Sequence, residues 1–161
     1  MNLVRLDRSL DPRVVTLWRL QRLLGVLTLG LPLAAAIVLG VRMVGPSWLG
    51  VVLGGLVLVW RVVMAMAWPA LMYRHTRYSV REHDLLVQSG VFFRRWSSVP
   101  YSRIQHVDTR QGPLERWLGL SRLAVYTAAG MSADGSIPGL AEEEAEALRD
   151  ALSRRGEDDG V

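Results

Sequence analysis

From Leu23 to Val41 the chain has no charged residue, and an arginine closes the stretch at each end, Arg22 and Arg42. As a helix rising 1.5 Å per residue it would be about 28 Å long, close to the roughly 30 Å hydrocarbon core of a bilayer. A second uncharged run extends from Met43 to Trp60, and beyond Arg61 the apolar character continues to about Tyr73. Buried helices of soluble proteins rarely run this far without charge. The two runs, joined by Arg42-Met43-Val44-Gly45-Pro46, read as a transmembrane helical hairpin with spans at about 21–41 and 47–67. With its N-terminal segment the hairpin occupies residues 1–73. Ala34-Ala35-Ala36 has the small residues of a signal-peptidase site, but Ile37-Val38-Leu39 carry the apolar run past it, so a cleaved leader is not expected.

Arginine placement orients the hairpin. Arg5, Arg8, Arg13, Arg19 and Arg22 precede the first span, and Arg74, Arg77 and Arg81 follow the second, whereas the connecting loop has Arg42 alone. By the positive-inside rule both termini are expected in the cytoplasm, in the cell inner membrane. Trp18, Trp48, Trp60 and Trp68 suit interfacial belts. Asp11-Pro12 reads as a helix cap followed by the first helical residue. Arg61 is expected near the inner end of the second span, where its long side chain can snorkel to lipid phosphates. Gly50-Val51-Val52-Leu53-Gly54 lets two helix backbones approach closely. Its expected use is packing against the first span, and homo-oligomerisation is the alternative.

Beyond Tyr73 short segments alternate with turn residues, a pattern of antiparallel strands. Candidate strands are Thr76–Val80, Asp84–Val87, Val91–Phe93 after a Ser89-Gly90 turn, Arg94–Tyr101 ending at Pro100, Ile104–Thr109, Leu123–Thr127, and one around Ile137 after a turn at Ala133-Asp134-Gly135. Gly112-Pro113 opens a short helical turn through Leu118 with Gly119 as its cap, and Leu114, Trp117 and Leu118 are expected to pack under the sheet. Ala141, Ala145, Leu148 and Leu152 share one face of an amphipathic helix. Glu142, Glu143 and Glu144 complement its positive end and Arg149, Arg154 and Arg155 its negative end. The expected fold is membrane-anchored α+β: the hairpin, a partly open β-barrel domain over 74–155 with a C-terminal helix, and a disordered tail at 156–161.

The run Gln111-Gly112-Pro113-Leu114-Glu115-Arg116-Trp117-Leu118-Gly119-Leu120 has Val99-Pro100 and Ile104-Gln105-His106-Val107 before it and Tyr126-Thr127-Ala128-Ala129-Gly130 after it. With the preceding hairpin and the Leu10-Asp11-Pro12-Arg13 start, this resembles the bacterial pleckstrin-homology-like (PH-like) domain of the YdbS-type membrane proteins, over nearly the whole chain. The resemblance implies a PH-like barrel closed at one end by the C-terminal helix. It also implies a domain that recruits or assembles other membrane proteins, larger PH-like relatives included.

Chemistry is sparse. Without cysteine there is no disulfide, thiol nucleophile or Cys-ligated zinc, and without lysine no Schiff base or Walker lysine. His106 and Asp108 lie two apart on a candidate strand, but no metal-binding spacing joins them to further ligands. Ser102, His106 and Asp108 lack any nucleophile-elbow context. No enzyme activity, metal or cofactor is expected. The net charge of +4 divides into +5 over residues 1–61, +5 over 74–130 and −6 over 131–161. The basic parts lie beside the membrane, which accounts for them without nucleic acid. Arg77, Arg81, Arg94, Arg95 and Trp96 are the lipid-contact candidates, directed at anionic headgroups. The expected function is therefore non-enzymatic: a membrane protein presenting an interaction domain at the cytoplasmic face to scaffold membrane complexes. A headgroup sensor, or an accessory subunit of a membrane enzyme or transporter, is the alternative.

Overall fold

The computed structural model describes residues 8–127 and 135–158. They form two compact units, one of residues 15–70 and one that joins the chain up to Val14 with the chain from Leu71 onward.

The first unit is a helical hairpin. Helix α1 runs Arg13–Val44 and helix α2 Ser47–His75, both long and apolar enough to cross a bilayer. Only 17% of the most apolar stretch of each is buried, the opposite of a core helix. Asp11 caps α1, its carboxylate accepting the Arg13 N–H at 2.8 Å. Within α1 the residues Val26–Gly30 form a π-helical turn, with the Leu31 N–H donating to the Val26 carbonyl. Pro32 supplies the reason. It has no N–H to offer the Thr28 carbonyl and its ring crowds that group, so the helix widens by one residue just before it. Further along, a Cβ placed on Gly50 would stand 3.0 Å from the Val38 carbonyl oxygen, and one on Gly54 3.0 Å from that of Ala34. Side chains larger than hydrogen would force these backbones apart.

The second unit is α+β. Strands β1 (Arg8–Ser9), β2 (Arg77–Val80), β3 (Asp84–Ser89) and β4 (Arg95–Pro100) form one antiparallel sheet in that order. After a 3-10 turn at Tyr101–Arg103, strands β5 (Ile104–Arg110), β6 (Leu120–Thr127) and β7 (Gly135–Ala141) form a second. The short helix α3 (Pro113–Trp117) links β5 to β6, and α4 (Glu142–Asp158) follows β7 and packs on the second sheet. Tyr78, Leu85 and Val99 of the first sheet, Leu123, Val125 and Ile137 of the second, and Ala145, Leu148 and Leu152 of α4 are buried, as are Leu10 and Val14. Asp11 N–H also bonds the Gly139 carbonyl at 3.0 Å. Gly139 has φ +66°, and a Cβ there would collide with Val14, so glycine is required for this close approach.

The expected α+β fold is found, and its partly open β structure takes the form of two open sheets that, among the described residues, do not close into a barrel. Other expectations are corrected. Val91–Phe93 is no strand: the register set by Leu85 and Val87 against Val99 and Ser97 pairs Ser89 with Arg95 and leaves 90–94 as the hairpin loop. Trp117 is 74% exposed rather than packed under the sheet. Glu115 points inward instead, and a residue two positions on is rotated about 200° around a helix. Helix α4 continues to Asp158, past the expected end of the domain at Arg155. Ala133 and Asp134 of the expected turn, Ala128–Gly130 of the compared run, and the end of the expected tail lie outside the described residues.

Candidate functional site

The first sheet gathers most of the lipid-contact candidates at one end. Ser9 pairs with Arg77, Arg77 with Gln88, and Gln88 with Trp96, so Arg77 and Trp96 belong to one cross-strand row. The next pair, Ser89 with Arg95, closes the hairpin. Gly90 turns the chain at φ +108°, where a Cβ would collide with the Phe93 carbonyl. The loop beyond it carries Phe92 and Phe93, 79% and 92% exposed, followed by Arg94. Trp96 is about half exposed. Arg77, Phe92, Phe93, Arg94, Arg95 and Trp96 therefore make one aromatic and cationic tip.

Arg81 does not join them. It lies at the other end of β2, about 13 Å from Arg77 along the strand. There its side chain pairs with Asp84 at 3.7 Å. Its carbonyl accepts the Tyr101 hydroxyl at 2.7 Å and an Arg155 N–H at 3.1 Å, and the Arg155 guanidinium also lies over the Tyr101 ring. This ties α4 to the β2–β3 turn.

The Gln111–Leu120 run is held by polar contacts. The Glu115 carboxylate is buried, accepting the Gly112 N–H at 2.7 Å and an Arg122 N–H at 3.1 Å. Gln111 donates to the Ser121 hydroxyl at 2.8 Å. Gly119, at φ +64°, ends α3 as its left-handed cap. The Arg13 guanidinium donates to the Leu118 carbonyl at 3.1 Å.

Asp11 and Tyr78 are among the ionisable groups outside the spans whose pKa is shifted. A hydrogen bond from the Arg13 side chain holds the Asp11 carboxyl below its usual range. Burial pushes the Tyr78 hydroxyl well above its usual value, aided by its 2.6 Å hydrogen bond to Glu144. Neither resembles a group poised near neutrality for catalysis. Asp108 pairs with Arg110 at 3.1 Å, and His106 lies beside the Tyr126 ring. Among the described residues no three His, Asp or Glu side chains converge as a metal site would require.

In the hairpin unit, Gly50 and Gly54 face α1. Arg61 lies against Gly30, at the end of the π-turn. Three features escaped the sequence reading: the buried Glu115, the exposed Phe92-Phe93 tip and the π-turn. Pro32 and the Ser89-Gly90 turn were the visible signals for the last two.

Two membrane-length helices leading into a two-sheet domain capped by a C-terminal helix define a transmembrane protein with a PH-like domain. Comparison agrees: the sequence model of the bacterial PH domain family matches residues 22–156, and the chain belongs to that family. It is 38% identical over 155 residues to the UPF0699 transmembrane protein YdbS of Bacillus subtilis (strain 168), covering 95% of this chain and 96% of that one. It is also 22% identical over 107 residues to the UPF0699 transmembrane protein YdbT of the same organism, 66% of this chain but 21% of YdbT. No solved structure matches.

Proposed function

We propose that this protein is a non-enzymatic anchor in the cell inner membrane that presents its PH-like domain to the cytoplasm and assembles other membrane proteins, larger bacterial PH relatives among them. The observation that carries this reading is the alignment with YdbT, in which a segment resembling this chain is a minor part of a much longer transmembrane protein. A short chain that resembles a segment of a long one is suited to associate with it. Orientation is supported by β1 pairing with β2. That pairing stitches the chain before α1 to the chain after α2, so both ends belong on one side, and the arginine excess favours the cytoplasmic side. A photo-crosslinking residue at Phe93 or Trp117, both strongly exposed, tests the reading in living cells. Adducts to a longer bacterial PH transmembrane protein are expected, and the absence of any protein adduct at either position would overturn it.

The tip favours a second reading, contact with anionic headgroups. Aromatic rings beside arginines suit the bilayer interface, where each cation contributes about 1 kcal/mol. The full-length protein in nanodiscs should show slower amide exchange over residues 88–96 with phosphatidylglycerol than with phosphatidylcholine. Arg94→Glu with Arg95→Glu should abolish the difference, and an unchanged difference would remove this reading.

A further inference from the structure

Between residues 12 and 81 the sequence contains no Asp or Glu. The hairpin therefore carries Arg19, Arg22, Arg42 and Arg61 with no carboxylate of its own to neutralise them. The Arg19 side chain donates to the Met66 carbonyl at 3.2 Å, and the Arg22 guanidinium lies 5.8 Å from the Trp68 ring centre. Arg61 is the cation set within the apolar run of α2, where a charge is costly and is retained mainly where something answers it.

Its setting is built. The Arg61 Nε is 3.3 Å, and its Cδ 3.6 Å, from where a Cβ on Gly30 would stand. Gly30 is buried and ends the π-turn, so the distortion caused by Pro32 and the missing side chain at Gly30 together seat the arginine. π-Turns of this kind recur at functional sites. Beside it opens a cleft of about 420 Å³, lined by Gln21, Arg22, Gly25 and Val26 of α1 and by Trp60 and Arg61 of α2. Two guanidiniums and a carboxamide thus share an otherwise apolar cleft, a donor set suited to the oxygens of a phosphate ester. Leu24, Leu27 and Trp60 are exposed on the same stretch and offer apolar surface to acyl chains.

We propose that this cleft binds the phosphate-bearing headgroup of an anionic glycerophospholipid. The countercharge missing from the hairpin is then supplied by the bilayer in which the hairpin stands. Basic clefts between membrane helices are a recurring form of headgroup site. This goes beyond the partner-assembly reading and does not depend on it. The rival source of the anion is a carboxylate on a second membrane protein.

The test uses the full-length protein extracted in mild detergent and stripped stepwise of lipid, with retained phospholipids identified by native mass spectrometry. The wild type should keep an anionic phospholipid after zwitterionic lipid has been removed. Arg61→Gln and Arg22→Gln should each reduce that retention about fivefold, while Arg42→Gln, an equal charge change in the last turn of α1, should not. Lipid titration of the delipidated wild type gives a readout that needs no variant. Phosphatidylglycerol should raise its Tm, whereas phosphatidylcholine and inorganic phosphate at equal concentration should not. Equal stabilisation by phosphatidylcholine, equal loss in Arg42→Gln, or anionic lipid retained only when a second membrane protein co-purifies would each overturn the proposal.

Discussion

Tyr78 shows how one side chain couples the two ends of the PH-like domain. It is fully buried on β2, and its hydroxyl donates to Glu144 in the first turn of α4 at 2.6 Å. Burial and that acceptor both favour the neutral phenol and raise its pKa. A tyrosine raised in the folded state adds stability that is complete below the unfolded value of about 10 and is lost as pH rises above it. Denaturant unfolding of the full chain should therefore show stability falling as pH rises above about 10, and Tyr78→Phe should flatten that fall. An identical fall in both proteins would remove Tyr78 as its cause. Glu115 makes the complementary case. Glu115→Ala strips the acceptor from the Gly112 N–H and from Arg122, and should cost about 1–3 kcal/mol by the same unfolding measurement. The glycines and proline of the Gln111–Leu120 run announced its turns from sequence. The inward-facing carboxylate was not legible, because a charged residue is ordinarily assigned to solvent.

Among the elements, the hairpin was the most legible. Length, absence of charge and flanking arginines fix two membrane helices whatever their detailed packing. The face used by the glycines depends on helix rotation, and the structure turns Gly50 and Gly54 toward α1 while Gly55 meets nothing within 4 Å. Gly54→Leu should therefore lower the thermal stability of the detergent-solubilised protein by the equivalent of about 1–3 kcal/mol, and Gly55→Leu should leave it nearly unchanged. Equal effects at the two sites would contradict the packing described. Pro32→Ala restores an N–H donor for the Thr28 carbonyl, so amide exchange should show the Val26–Gly30 turn tightening to a regular α-helix. Persistence of the π-turn would assign it to another cause. The β3–β4 hairpin illustrates the limit of pattern reading. Val91-Phe92-Phe93 has strong strand propensity, yet the register fixed by the buried Leu85 and Val99 leaves it in a loop. Propensity is local, whereas register belongs to the sheet.

At the scale of the whole chain, sequence and fold divide the protein differently. Composition changes at about Tyr73 and suggests a membrane half followed by a domain. The folded units instead return the chain up to Val14 to the domain, through the β1–β2 pairing and the Asp11–Gly139 hydrogen bond. Two residues of strand at Arg8–Ser9 are too short to be read from periodicity. Their consequence is large, because a hairpin whose two ends enter one domain is expected to have both on one side. That side, inferred from arginine placement, is the central claim. The lack of cysteine makes single-cysteine mapping clean. Ser102→Cys lies in the exposed turn before β5 and Ser47→Cys at the start of α2. With a membrane-impermeant maleimide, intact cells should label Ser47→Cys and spare Ser102→Cys, and inverted membrane vesicles should reverse the pattern; labelling of Ser102→Cys in intact cells would contradict the account.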